Sequence, residues 1–124
     1  MTKSGKNIVM ERSYAFALEI YQLAKYLRYA KKEYIFADQI LRSGTAIGAL
    51  IKEAEHAQSK ADFLNKMNIA LKEANETDYW LMLIHESELI DTNTFETLRS
   101  KNIEILKLLI SIVKSTKKGL GRIS

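Results

Sequence analysis

Two histidines and a few carboxylates are all that this chain offers for metal or acid–base chemistry. Glu53, Glu55 and His56 are nearly contiguous, and Glu73 and Glu76 form a second acidic pair. Glu53 and His56 are three apart, so on a helix they share a face. Glu-x-x-His is one half of the carboxylate di-metal centre that helical bundles can hold, and the centre needs a second such pair plus a glutamate from each of two other helices. Glu73 has no histidine three positions on, so the second half is missing. Neither His56 nor His85 has another histidine at i+4, which removes a His-x-x-x-His zinc face. There is no cysteine, so disulfides, thiolate metal sites and thiol nucleophiles are excluded. Gly119-Leu120-Gly121-Arg122 follows a helical pattern rather than opening one, so it is no phosphate-binding loop, and a nucleophile elbow is lacking. The expectation is a protein that is not an enzyme and uses no metal or cofactor.

Glu73 and Glu76 have a different use. At helical spacing they share a face with Ile69, Trp80 and Leu83, and carboxylates among apolar neighbours need a cationic or hydrogen-bonding partner. Arg42, with Gln39 one turn before it, is the supplier on the preceding helix. Gln39, Arg42, Glu73 and Glu76 are expected to form a structural clamp. If the ion pair is buried, removing one partner should cost ~3–5 kcal/mol.

The elements that position these residues are helical. The 124 residues contain no proline, 47% are hydrophobic and 27% charged, which suits one soluble domain spanning residues 1–124 with short polar tails. Four apolar runs carry helical period. The first covers about Val9 to Lys32 through Phe16, Ile20, Leu23, Leu27 and Ala30. The second runs from about Phe36 to His56 through Ile40, Ser43, Ile47, Leu50 and Ala54. The third follows Ser59, whose spacing to Asp62 resembles a capping box, through Phe63, Met67, Ala70, Ala74, Thr77, Leu81 and Ile84. The fourth starts near Asn93, with Glu96 completing a second such box, and passes Leu98, Ile105, Leu109 and Ile112 before fading at Lys117–Lys118. Alternating spacings of 4 and 3 with short linkers predict an all-α, antiparallel up-down-up-down four-helix bundle.

Two features suggest more than an isolated bundle. Gly44 and Gly48 sit one turn apart within the second helix, where each costs about 1 kcal/mol against alanine, so something must approach that backbone closely. That contact is either tight packing inside one subunit or a subunit interface. The fourth helix is apolar nearly all round, with Ile103, Ile105, Leu106, Leu108, Leu109, Ile110, Ile112 and Val113. Such a helix needs burial on more than one side, which favours a homo-oligomer.

Charge is polarised along the chain. From Glu73 to Leu98 there are acids and no Lys or Arg, whereas Glu104 is the single acid after Arg99. The net charge is +4. In an up-down-up-down bundle the N-terminus, the second connection and the C-terminus meet at one end, gathering Lys3, Lys6, Lys52, Lys60, Lys114, Lys117, Lys118 and Arg122. Of these, Lys60, Lys114, Lys117, Lys118 and Arg122 are the expected nucleic-acid contacts. At the other end Glu86, Glu88 and Asp91 fall beside Arg28, Lys31 and Lys32, and the signs should compensate. No run is long enough to span a membrane and the first residues lack a signal-peptide core, so a cytoplasmic location is expected.

The stretch from Gln39 to Ile84 resembles the four-helix-bundle proteins encoded within intervening sequences of bacterial 23S ribosomal RNA genes. The likeness runs from about Tyr14 to Lys117. It is most specific at Gln39-x-x-Arg42, at Ser43–Glu53 around Ile47, and from Lys72-Glu73-Ala74 through Glu76-Thr77 to Trp80-Leu81. This chain departs from the family pattern in lacking a proline before the second helix and another where Gly48 stands. The resemblance implies a closed homopentamer. The family also includes the accessory protein of diversity-generating retroelements, a basic pentamer that partners reverse transcriptase and nucleic acid. It supplies no catalytic residue to carry over. The implied partners are other copies of the chain, RNA or DNA, and a nucleic-acid enzyme. The competing expectation is a purely structural adaptor that docks another protein.

Overall fold

A computed structural model describes residues 4–123, with side chains through Gly121. Four helices follow one another: α1 (Gly5–Tyr29), α2 (Tyr34–Ala54), α3 (Lys60–Glu86) and α4 (Thr92–Ile123), and the described residues include no strand. Each helix packs along its two neighbours, α1 on α2 and α4, and α3 on α2 and α4. The result is an antiparallel up-down-up-down four-helix bundle. Its core is aliphatic, with Ile20 and Leu27 from α1, Ile40 and Ile47 from α2, Leu81 and Ile84 from α3, and Ile105 and Leu109 from α4 all fully buried. Among the described residues Phe16 is the one fully buried aromatic ring.

Capping sets the helix ends, and several differ from the periodicity. Ser4 Oγ accepts from the Asn7 N–H at 3.3 Å, so α1 begins before the first apolar position. It stops at Tyr29 because Lys32 turns into the left-handed region (φ 58°) and the Glu33 N–H returns to the Leu27 carbonyl at 2.8 Å. The Ser59–Asp62 box forms as expected on one side, with the Asp62 N–H donating to Ser59 Oγ at 3.0 Å. Asp62 Oδ2 reaches back to the Gln58 N–H rather than to Ser59. The α4 cap is Asp91, not Asn93: Asp91 Oδ1 accepts from the Thr94 N–H at 2.7 Å. At its far end α4 continues through Gly119 and Gly121 to Ile123 instead of fading at Lys117, since glycine weakens a helix but, unlike proline, removes no hydrogen bond.

Hydrogen bonds from the Thr94 side chain and backbone hold the Asp91 carboxyl below its ordinary 3.8. A depressed carboxylate pKa contributes stability that is present above the unfolded value and lost as pH falls through the folded one. Asp91→Ala should therefore melt lower than wild type at pH 7, and the gap should narrow as pH falls below 3.8 and the folded carboxylate takes up its proton. A difference in melting temperature that stays constant across that range would show that the charged cap is not responsible.

The glycines of α2 answer to α1 of the same chain. A Cβ on Gly44 would lie 2.7 Å from Ile20 Cγ2 and 3.2 Å from Ile20 Cβ. One on Gly48 would lie 3.4 Å from Ser13 Oγ and 3.6 Å from the Ser13 backbone. Both glycines are buried inside the single bundle, so the subunit-interface reading of this strip does not hold. The outer side of α4 is different: Ile103 and Ile110 remain 37% and 46% exposed beside a buried seam of Leu98, Asn102, Ile105, Leu109 and Val113.

Among the described residues four polar ones, one per helix, are fully buried: Ser13, Ser43, Thr77 and Asn102. Ser13 Oγ donates to the Met10 carbonyl at 3.1 Å. Thr77 and Ser43 join α3 to α2 through a 3.0 Å hydroxyl contact, and Thr77 also donates to the Glu73 carbonyl. Asn102 Nδ2 donates to the Ala74 carbonyl at 2.9 Å, tying α4 to α3, while its Oδ1 has no hydrogen-bond partner among the described residues.

Candidate nucleic-acid interface

Connectivity brings the start of α1, the α2–α3 turn and the end of α4 to one end of the bundle. Direct contacts agree: Lys6 Nζ sits 4.6 Å from the centre of the Phe63 ring, and Lys66 pairs with Glu53 at 3.6 Å. Asn102 bonds to Ala74 and Arg99 to Asp78, a register that sets Thr116 or Lys117 opposite Lys60. The last turns of α4, from about Lys117, thus run past the first turn of α3.

Lys52 is held by Glu55 at 3.3 Å. Lys60, Lys114, Lys117 and Lys118 are exposed, and among the described residues none has a carboxylate partner. Solvated lysines that project from one end can neutralise phosphates and release the counterions condensed on them. Lys3 and the Arg122 side chain, also expected here, lie outside the described residues.

The clamp residues meet, but on the surface. Arg42 Nη1 donates to Glu73 Oε2 at 2.9 Å, Arg42 Nη2 contacts Glu76 Oε2, and Trp80 Nε1 donates to the same oxygen at 2.9 Å. Among the described residues Gln39 makes no hydrogen bond to this group. Arg42 is 50% exposed and Glu76 36%, with only Glu73 substantially covered at 16%. The buried-pair expectation of ~3–5 kcal/mol therefore gives way to the ~1 kcal/mol or less of a solvent-screened pair. Arg42 explains the difference: its long side chain reaches α3 from the outer side of α2 without being enclosed.

The histidines are peripheral. His85 stacks on Phe95, with ring centres 4.2 Å apart, and its Nε2 lies 3.2 Å from Thr92 Oγ1, which joins the end of α3 to the start of α4. His56 is exposed in the α2–α3 turn. No group of three or more His, Asp or Glu among the described residues could hold a metal ion.

At the opposite end the expected charge compensation takes another form. Arg28 pairs with Asp38 of α2, not with the α3–α4 turn, and Lys31 Nζ lies 5.8 Å from the centre of the Tyr26 ring. Lys31, Glu88 and Asp91 line a cleft of about 850 Å³ between α1 and the start of α4, and among the described residues they form no ion pairs. Tyr21, Tyr26, Tyr29 and Tyr34 lie toward this end, a feature whose one signal in the sequence is that Tyr21 and Tyr29 are out of phase with the α1 core seam.

The family model of the 23S rRNA-intervening sequence protein matches residues 5–111. Among solved structures, the chain is similar to a protein of unknown function from the S23 ribosomal protein family of Bacteroides thetaiotaomicron. The two are 53% identical, with 90% of this chain and 99% of that one covered and a TM-score of 0.88. No curated protein matches the chain. Among the described residues no helix is long and apolar enough to cross a membrane.

Proposed function

The chain belongs to the 23S rRNA-intervening sequence protein family, and from that premise we propose that it is a non-enzymatic, homo-oligomeric module that binds RNA or DNA through the lysine-rich end of its bundle. The observation that supports this reading is the set of exposed lysines without carboxylate partners among the described residues, Lys60, Lys114, Lys117 and Lys118, gathered at one end by the start of α3 and the end of α4. One subunit offers few phosphate contacts. Linked copies engage the same strand at high effective concentration, which turns a weak contact into a useful one. The exposed Ile103 and Ile110 ridge of α4 supports assembly, since an aliphatic helix face is stabilised when another subunit covers it. A closed ring, a pentamer by family resemblance, is the expected form.

Binding of a structured RNA and of duplex DNA should be measured for wild type and for a variant with all four lysines changed to glutamine. Affinity should fall roughly tenfold or more in the variant, because each lost phosphate contact removes a released counterion. Equal affinities, or no binding by wild type at low salt, would leave the adaptor reading in its place. Sedimentation equilibrium checks the assembly, and a clean 14.2 kDa species at micromolar concentration would contradict it.

A further inference from the structure

All six tyrosines of the chain are exposed, and five of them, Tyr14, Tyr21, Tyr26, Tyr29 and Tyr34, lie on the α1–α2 hairpin. Tyr29 is 69% exposed. Among the described residues no tyrosine hydroxyl has a hydrogen-bond partner within the chain, so these rings do not secure the fold through their polar tips. Four cations are interleaved with them: Lys25, Arg28, Lys31 and Lys32. Lys25 Nζ lies 5.4 Å from the Tyr21 ring centre, the Arg28 guanidinium 5.3 Å from that of Tyr34, and Lys31 Nζ 5.8 Å from that of Tyr26. Of these four, Arg28 alone also has a carboxylate partner among the described residues, Asp38.

We infer that the outward ridge of Tyr21, Lys25, Tyr29 and Tyr34 is a stacking surface for unpaired nucleotides, at the end of the bundle opposite the lysine cluster. It rests on the nucleic-acid reading above and adds a second contact of different chemistry. Tyr21 and Tyr29 are eight residues apart, about 12 Å along α1, with Lys25 between them on the same face. An aromatic, a cation and a second aromatic in that order match a base, a phosphate and a second base. Each cation can leave its ring for a phosphate, freeing the ring face for stacking. A helix C-terminus attracts lysines in any protein, which accounts for the charges and not for the tyrosines. A duplex keeps its bases stacked internally and cannot use the rings. A protein helix laid on the ridge would have to place a carboxylate opposite Lys25, whereas a nucleotide strand supplies the counter-ion with every phosphate. Glu88 and Asp91 face Tyr26 and Lys31 across the cleft, so a strand is directed over Tyr21 and Tyr29 and away from the cleft.

The test uses the full chain with fluorescein-labelled oligouridylate as the unpaired probe and duplex DNA as control. The double variant Tyr21→Leu/Tyr29→Leu keeps two helix-compatible apolar residues and loses both rings. It should bind oligouridylate roughly tenfold more weakly or worse, with duplex affinity, melting temperature and sedimentation close to wild type. Tyr21→Phe/Tyr29→Phe should restore oligouridylate binding. Unchanged oligouridylate affinity in the leucine variant, alongside loss in the four-lysine variant, would overturn the ridge and leave the lysine site standing. A change in sedimentation would assign the ridge to subunit contact and overturn it as well. If wild type binds neither probe, both readings fall.

Discussion

Gly44→Ala should destabilise the bundle by about 1–3 kcal/mol, although alanine is the better helix former. The added methyl meets the β-branch of Ile20, whose Cγ2 would be 2.7 Å away. Ile20 is fully buried and its Cβ is fixed to α1, so relief requires the two helices to separate. Gly48→Ala carries the opposite sign. Its methyl would rest against Ser13 at ordinary contact distance, and the helix gain of up to about 1 kcal/mol should survive. Urea unfolding of the two variants separates them. In an Ile20→Ala background the Gly44→Ala penalty should shrink or vanish, because the clashing branch is gone. Equal effects at the two glycines would mean that α1 shifts freely along α2.

Asn102→Asp should be the most damaging single substitution at neutral pH, at about 3–5 kcal/mol. It places a carboxylate in a fully buried position and turns the donor now bonded to the Ala74 carbonyl into an acceptor. Burial without a counter-ion raises a carboxyl pKa. The folded variant would keep a proton that the unfolded chain releases above about 3.9, so its stability should fall as pH rises, by about 1.4 kcal/mol per unit until the folded pKa is passed. The variant should thus approach wild type below pH 4. A deficit independent of pH would show that the carboxylate escapes to solvent. Asn102→Leu, similar in shape and without a polar atom, removes the bond to the Ala74 carbonyl but buries no charge, and should cost at most about 1–3 kcal/mol with no pH dependence.

Much of this architecture was legible in the sequence. Alternating spacings of 4 and 3 defined four helices and their antiparallel order, and Ser43 and Thr77, placed on the seam by spacing alone, are both buried and bonded to each other. Asn102 escaped the periodic reading because a polar residue on an apolar seam carries no pattern signal, and its role depends on a carbonyl of another helix. The purpose of Gly44 was ambiguous for a related reason: bare backbone announces a close neighbour without saying which chain supplies it. The Arg42 clamp was readable as a pairing but not as a surface one, since exposure depends on where a long side chain crosses between helices. Among the site residues, the lysines at one end followed from topology. The tyrosine ridge did not, because a second stripe on α1 is masked by the stronger core stripe.

The dependence of affinity on salt bears most directly on the claim of an oligomeric nucleic-acid-binding module. Each neutralised phosphate on duplex DNA contributes a slope of about −0.9 to log K against log salt, so the four lysines and Arg122 of one subunit cannot exceed about −4.5. Linked subunits engaging one duplex should give a slope steeper than that limit. A shallower slope, or no binding at low salt, would contradict the account.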